Sequence, residues 1–120
     1  MNRLKVTAVG DYGITFENGL HLSSDHSQDC CESHELYFKD LSLDDFAGLL
    51  FDLSGDNFFK RVPDYGIELV PLVGWPVRVA GHGYNNGYYS DQLDLVLEGK
   101  VDGKDFRKVY NITECQEQHG

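Results

Sequence analysis

Apolar and polar residues alternate along much of this chain, and a period of two residues predicts β-strands. Segment 4–9 alternates in this way and ends at turn-forming residues, which indicates a first strand with one apolar face. Short apolar runs predict further strands at 35–38, 67–72 and 75–80, the last two at sheet edges or bends because each contains a proline. Segment 56–66 has no clean period and predicts an irregular connection.

A first hairpin is predicted around Asn18-Gly19, a pair that favours tight turns. A strict two-residue turn would set Phe16 opposite His21 and place an apolar side chain against a polar one. We therefore expect a longer loop or a bulge that aligns the apolar residues of the two flanking strands, which are Ile14, Phe16, Leu20 and Leu22.

The last hairpin has a register that its side chains define. A two-residue turn at Asp102-Gly103 joins segments 93–101 and 104–112. In this register apolar residues oppose apolar residues and a carboxylate opposes a guanidinium. The predicted pairs are Val101–Lys104, Glu98–Arg107, Leu95–Tyr110 and Leu93–Ile112.

Segment 43–53 has a helical period instead. Its apolar residues fall on one face of a helix, and they are Leu43, Phe46, Ala47, Leu50 and Leu53. Ser42 followed by Asp45 is a natural N-terminal cap, and Gly55 is a natural stop. With about seven to nine strands, one amphipathic helix and no βαβ alternation, the pattern predicts the α+β class. We expect a mainly antiparallel sheet that curls around the helix in a barrel-like form or packs on it.

Length and charge restrict the classes of function. A chain of 120 residues predicts a single domain over residues 1–120. The net charge of −10 opposes binding to nucleic acid and anionic membranes, and it suits a basic protein partner or a cation. The sequence has no long apolar run and no signal-peptide pattern, which predicts a cytoplasmic protein whose three cysteines are reduced.

The densest polar segment, 21–34, reads HLSSDHSQDCCESH and raises the question of a metal site. Imidazole and thiolate are ligands that zinc prefers, and the candidate ligands are His26, Cys30, Cys31 and His34. Adjacent cysteines lack the spacing of a zinc knuckle, and a fourth ligand would have to come from Cys115 or His82. We therefore predict no cofactor, with zinc as the alternative.

A second hypothesis makes Cys30 or Cys31 a nucleophile, which requires a nearby imidazole to lower the pKa of the thiol. The candidate partners are His26, His34 and His82. A third hypothesis is structural, because the turn-forming pair Gln28-Asp29 can shape a loop that leads the two cysteines into the next strand.

A second polar segment, 81–91, combines glycines with three tyrosines, a composition typical of recognition surfaces. Its candidate binding residues are His82, Asn86, Tyr88 and Tyr89. A two-residue turn at Asn86-Gly87 would set His82 opposite Asp91 as a hydrogen-bonded dyad, unless a bulge shifts the register. The lone Trp75 is expected in the core or over a pocket.

Two short motifs resemble those of a known family. His26-Ser27-Gln28-Asp29-Cys30-Cys31-Glu32 resembles the H-x-Q-D-C-C-E motif of small, uncharacterised bacterial and phage-associated proteins, and Asn86-Gly87-Tyr88-Tyr89-Ser90 resembles their N-G-Y-Y-S segment. Two places after the glutamate, where that family has an apolar residue, this chain has His34. The resemblance implies a domain of unknown function in which the two motifs belong to one arrangement, and it implies no catalytic residue.

The leading hypothesis is a non-enzymatic module that binds another protein or a small ligand through the 26–34 turn and the 82–91 hairpin. The predicted binding residues are His26, Gln28, Asp29, Glu32, His82, Asn86, Tyr88 and Tyr89. The alternative is a metal- or thiol-dependent hydrolase or redox protein that uses Cys30 or Cys31 with His26 or His34. No phosphate-binding loop, dinucleotide fingerprint, G-x-S-x-G or H-E-x-x-H pattern supports a better-defined enzyme class.

Overall fold

The chain folds into two β-sheets that share one core. The computed structural model describes residues 3–10, 13–25, 33–36, 38–84, 93–113, 115 and 117–119, and residues 25, 33–35, 40, 82–84 and 117–119 by their backbone alone. Within these ranges the strands are β1 (Val6–Val9), β2 (Gly13–Phe16), β3 (His21–Asp25), β4 (Ser33–Leu36), β5 (Phe59–Val62), β6 (Gly66–Leu69), β7 (Val77–Tyr84), β8 (Asp94–Val101), β9 (Lys104–Asn111) and β10 (Glu117–His119). Short 3₁₀ turns cover Phe38–Asp40 and Leu43–Phe46.

The two sheets differ in how their strands are ordered. The first has the order β1-β2-β3-β8-β9 and is antiparallel throughout. The second has the order β10-β7-β6-β5, and β4 also pairs with β7. Of the strand pairs in the described ranges, only β10 with β7 is parallel. The prediction of mainly antiparallel sheets is confirmed, but both sheets are open, and the described strands do not close into a barrel.

Apolar side chains from both sheets form the core. Period-2 alternation turns one face of each strand inward, so that Ile14 and Phe16 of β2 are buried together with Leu95 and Leu97 of β8. Phe51, from the connection between the 3₁₀ turns and β5, packs edge-on against Phe16 with ring centroids 5.8 Å apart. Each such side chain contributes roughly 1.5–3 kcal/mol through burial, which makes this core the main source of stability.

The first hairpin has the predicted alignment. Ile14 pairs with Leu22, and the Phe16 N–H donates to the Leu20 carbonyl at 2.8 Å. The loop between them has three residues and places Gly19 at φ +91°, a conformation that favours glycine. The longer loop therefore puts apolar residues opposite each other, as the pattern requires.

The last hairpin also has the predicted register. β8 and β9 pair Val101 with Lys104 and continue to Leu95 with Tyr110, and the Ile112 N–H donates to the Leu93 carbonyl at 2.9 Å. Asp102 and Gly103 have φ of +54° and +78°, the conformation of a type I′ turn. The Arg107 Nε donates to the Glu98 carboxylate at 3.2 Å, so the predicted charge pair is formed.

The predicted amphipathic helix over 43–53 is wrong, and so is the predicted α+β class, because the described residues form only β-strands and short 3₁₀ turns. The Ser42 N–H donates to the Asp45 carboxylate at 2.8 Å, as predicted for a cap, but the 3₁₀ turn ends at Phe46 because Ala47 is extended and Gly48 is left-handed. The next residues form bridges, in which the Phe51 N–H donates to the Leu4 carbonyl at 2.7 Å. The described residues hold no helix long and apolar enough to cross a membrane.

Two further predictions about local structure were wrong. Segment 56–66, predicted to be irregular, contains β5 and a tight turn to β6 in which Asp64 has φ +63°. Trp75 was expected in the core or over a pocket, but its side chain is 84% exposed. Residues Pro71 and Pro76 lie in the connection between β6 and β7 and in neither strand, which agrees with the predicted bend.

Candidate functional site at one end of the sheets

Two connections cross from one sheet to the other. The chain leaves the first sheet after β3, passes through residues 26–32 and enters the second sheet at β4. It returns after β7, through residues 85–92, to β8 of the first sheet. The two connections are the segments that carry the HSQDCCE and NGYYS motifs.

The ends of these two connections are paired with each other. Asp25, the last residue of β3, pairs with Asp94, the first residue of β8. Ser33, the first residue of β4, pairs with Tyr84, the last residue of β7. Opposed Cα atoms in antiparallel strands lie about 4.5–5.5 Å apart, so both segments begin and end at the same end of the two sheets.

Hydrogen bonds between the two sheets and within the first sheet hold this end together. The Leu36 N–H donates to the Ser24 Oγ at 3.0 Å, which joins β4 to β3 across the gap between the sheets. The Leu93 N–H donates to the Thr113 Oγ1 at 3.2 Å at the start of β8. The backbone that leads into and out of both segments is therefore fixed by the sheets.

Most of the predicted site residues lie outside the described residues. These are His26, Gln28, Asp29, Cys30, Cys31, Glu32, Asn86, Tyr88 and Tyr89, together with Asp91 of the predicted dyad. Their predicted roles as binding, catalytic or metal-ligating residues stay predictions. The structure fixes the strand positions on either side of them.

His34 and His82, for which the backbone is described, lie in neighbouring rows of one strand pair. His34 pairs with Gly83, and His82 pairs with Glu35. Successive residues alternate between the faces of a sheet, so His34 is placed on the face of β4 that carries the buried Leu36, and His82 on the opposite face. The two histidines, both predicted as partners of the cysteines, are therefore not brought to one face.

The C-terminal half of β7 has neighbours on both sides. β4 and β10 pair with the same residues of β7, so they lie along its two opposite edges. One row across the three strands holds Glu35, His82 and Glu117, and the row two residues further along holds Ser33, Tyr84 and His119. This arrangement of three strands could not be predicted from the sequence, because no local pattern reveals that β10 runs parallel to β7.

Outside this end of the sheets, the described histidine and cysteine side chains have structural roles. His21 is half-buried, and its Nδ1 lies 3.1 Å from the Thr15 Oγ1. The Cys115 side chain is buried in the core cluster. Among the side chains that the structure describes, no three or more histidines, cysteines, aspartates and glutamates form a group that could hold a metal. The described side chains do not include those of residues 82–84 or 117–119.

Comparison with known proteins gives no match: no protein family fits the chain, and no curated protein or solved structure is significantly similar to it.

Proposed function

We propose that the chain is a non-enzymatic binding domain that holds another protein or a small ligand at the sheet end where segments 26–32 and 85–92 begin and end. The observation that carries this proposal is the pairing of Asp25 with Asp94 and of Ser33 with Tyr84. It brings together two segments that are separated by more than fifty residues of sequence. The proposed binding residues are those predicted from the sequence.

The composition of the two segments supports recognition. Segment 85–92 carries tyrosines, whose rings offer large contact area at low entropic cost, and segment 26–32 carries hydrogen-bonding side chains. The resemblance of both segments to motifs of one family supports a shared role. Since both segments begin and end at the same end of the sheets, a single partner can contact both.

The charge of the whole chain favours a positively charged group on the partner. The net charge of −10 attracts a lysine, arginine or amine at longer range. Nucleic acid and anionic lipid remain poor partners by the same argument, and the cytoplasmic location stays a prediction.

Alanine variants test the proposed surface. The wild-type chain is immobilised, incubated with cell lysate, and its retained proteins and small molecules are quantified by mass spectrometry. We expect the double variant Tyr88→Ala/Tyr89→Ala and the single variant His26→Ala to retain about tenfold less of a specific partner, because aromatic residues dominate binding energy.

Trp75→Ala is the matched control, since it also removes an exposed aromatic side chain. Trp75 lies just before β7, while Tyr84 ends that eight-residue strand, so the two ends are roughly 25 Å apart. We expect Trp75→Ala to retain the partner fully. Unchanged retention by the Tyr88, Tyr89 and His26 variants, or loss with Trp75→Ala alone, contradicts the proposal.

Labelling separates this function from the thiol-dependent alternative. A catalytic thiol reacts quickly at neutral pH because its pKa is lowered, whereas a structural thiol does not. We expect iodoacetamide to modify Cys30 and Cys31 no faster than a free cysteine. Much faster labelling of either residue would favour the enzyme over the binding domain.

A further inference from the structure

We propose that the outer edge of β9 binds an extended segment of a partner protein, which adds to the first sheet as a further strand. The segment carries two acidic residues that flank an apolar one, in the pattern acidic-x-apolar-x-acidic. This site lies beside the turn that joins β8 to β9, whereas the sheet end of the proposed function lies at the start of β8. The two sites are therefore tested separately.

β9 is the longest edge strand that the structure describes. It is the last strand in the order β1-β2-β3-β8-β9, and none of the described strands pairs with its other edge. Its eight residues pair with β8 without interruption. The edge strands β1, β5 and β10 have four, four and three residues, and the pairing of β1 is interrupted by a register shift. Long, regular edges are the ones to which another strand can add.

The hydrogen bonds of the hairpin show which backbone groups face outward. The Ile112 N–H donates to the Leu93 carbonyl, and bonded pairs recur at every second residue, so the even-numbered residues of β9 bond to β8. The N–H and C=O groups of the odd-numbered residues therefore point away from β8. The carbonyl of Asn111 has this direction, since it accepts from the Arg61 Nε of β5 at 3.0 Å. That bond covers the C-terminal end of the edge, so an added strand pairs with the part nearer the turn.

The side chains on one face of this edge are basic, apolar and basic in turn. Lys104, Phe106 and Lys108 are two residues apart along β9 and share a face. The two lysines pair with Val101 and Leu97 of β8, so neither faces an acidic residue across the hairpin. The Phe106 ring is half-buried against the core, and the Lys108 Nζ lies 5.7 Å from its centre. An added strand complements this face with acidic residues opposite the lysines and an apolar residue opposite Phe106.

An open cleft provides room for the apolar residue. The cleft has a volume of about 410 Å³, and its lining includes Gly99, Phe106 and Arg107. Gly99 is the residue that pairs with Phe106, and it has no side chain to fill the space beside the ring. The apolar side chain of the partner segment can therefore lie against Phe106.

Charge favours an acidic segment over a second copy of this chain. β9 carries three basic residues and one acidic residue, although the whole chain has 20 acidic and 10 basic residues. Two copies of β9 paired about Phe106 would set Lys104 opposite Lys108, and two copies paired about Arg107 would set that residue opposite itself. Like charges in directly opposed positions repel each other. The partner segment needs only two acidic residues, and more distant charges are screened over about 8 Å at physiological salt.

Peptide binding to the purified full chain tests this site. The probe is the end-blocked peptide Gly-Thr-Glu-Thr-Val-Thr-Glu-Thr-Gly, and the control peptide has lysine in place of both glutamates. We expect the ¹⁵N-labelled chain to bind the acidic peptide with a Kd of about 1 mM or below and the lysine peptide at least about tenfold more weakly. The acidic peptide should also slow hydrogen exchange of the Asp105 and Val109 amides, because strand addition places them in hydrogen bonds.

Variants of β9 make the test specific. Lys104→Glu/Lys108→Glu should reverse the preference and bind the lysine peptide at least about tenfold more tightly than the acidic one. Val109→Pro removes an outward N–H but no bond to β8, and it should weaken peptide binding by about tenfold. Val109→Thr keeps the N–H and should bind as the wild type does. Circular dichroism confirms that each variant is folded.

Several results would overturn the proposal. These are no binding of the acidic peptide at about 5 mM, equal binding of the two peptides, or an unreversed preference in Lys104→Glu/Lys108→Glu. Binding that leaves exchange of the Asp105 and Val109 amides unchanged also overturns it, because the peptide would then contact the lysines without adding a strand. A dimer of the unliganded chain that Val109→Pro abolishes would make a second copy the occupant and overturn it as well.

Discussion

Tyr110 brings a hydroxyl group into the aromatic part of the core. Its ring lies edge-on to Phe58 and Phe59, with centroid distances of 5.8 and 5.0 Å. The hydroxyl is buried without a well-formed hydrogen bond to any described residue, although the Asp56 carboxylate lies near it. Burial, and to a smaller extent this carboxylate, raises the pKa of Tyr110 to about 12.

We expect Tyr110→Phe to leave the free energy of unfolding at neutral pH unchanged or to raise it by up to about 1 kcal/mol. The variant keeps the ring and removes a buried hydroxyl that lacks a good partner. Urea unfolding followed by circular dichroism measures the change. Leu95→Ala, at the paired position on β8, is the control and should lose about 2–5 kcal/mol. A decrease in the free energy of unfolding of more than about 1.5 kcal/mol in Tyr110→Phe would contradict this expectation, because it would show that the hydroxyl forms a good hydrogen bond.

The same residue predicts a change at high pH. In the unfolded chain Tyr110 releases its proton near pH 10, whereas in the folded chain it keeps the proton until about pH 12. This ionisation therefore leaves the free energy of unfolding unaffected below pH 10 and lowers it as the pH rises toward 12. Between pH 10 and pH 12 the free energy of unfolding should fall less steeply with pH for Tyr110→Phe than for the wild type, as measured by urea unfolding at each pH. Parallel curves would contradict the raised pKa.

At the level of elements, local pairing could be predicted from the sequence and the helix could not. The register of β8 with β9 follows from one turn and from the charge pair of Glu98 with Arg107, all within twenty residues. Segment 43–53 has a helical period, but its backbone groups form hydrogen bonds with other parts of the chain. Leu4 and Val73, which are distant in sequence, take up the hydrogen bonds that a helix would form within itself.

Gly48→Ala distinguishes the observed turn from the helix. Inside a helix this change would stabilise the chain by about 1 kcal/mol. In the structure Gly48 has φ +77°, so alanine should instead lower the free energy of unfolding by about 1 kcal/mol. A Cβ at Gly48 would meet no atom within 4 Å, which leaves the backbone conformation as the cause.

Gly55→Ala is the matched control for this measurement. Gly55 also has open space around it, but no left-handed conformation. Alanine there should change the stability by less than about 0.5 kcal/mol or raise it slightly. If urea unfolding showed that Gly48→Ala stabilises the chain, the result would contradict the observed turn and support the predicted helix.

At the level of the whole molecule, the candidate site depends on pairings that no local pattern reveals. The two motif segments could be identified from their residues alone. Their common end could not, because it requires β3 to pair with β8 and β4 to pair with β7. The parallel strand β10, which places Glu117 and His119 beside β7, has only three residues and carries no strand signal of its own.

The central claim is that β4 lies against the C-terminal half of β7 and so brings the two motif segments to one end of the molecule. Nuclear Overhauser effects in the ¹⁵N,¹³C-labelled chain measure this directly. Alternate pairs in an antiparallel ladder have Cα atoms only about 4.5 Å apart and give strong contacts between Hα protons. Strong Hα–Hα contacts at alternate pairs between residues 33–36 and 81–84 are the predicted result, and the absence of any contact between these two strands would contradict the account.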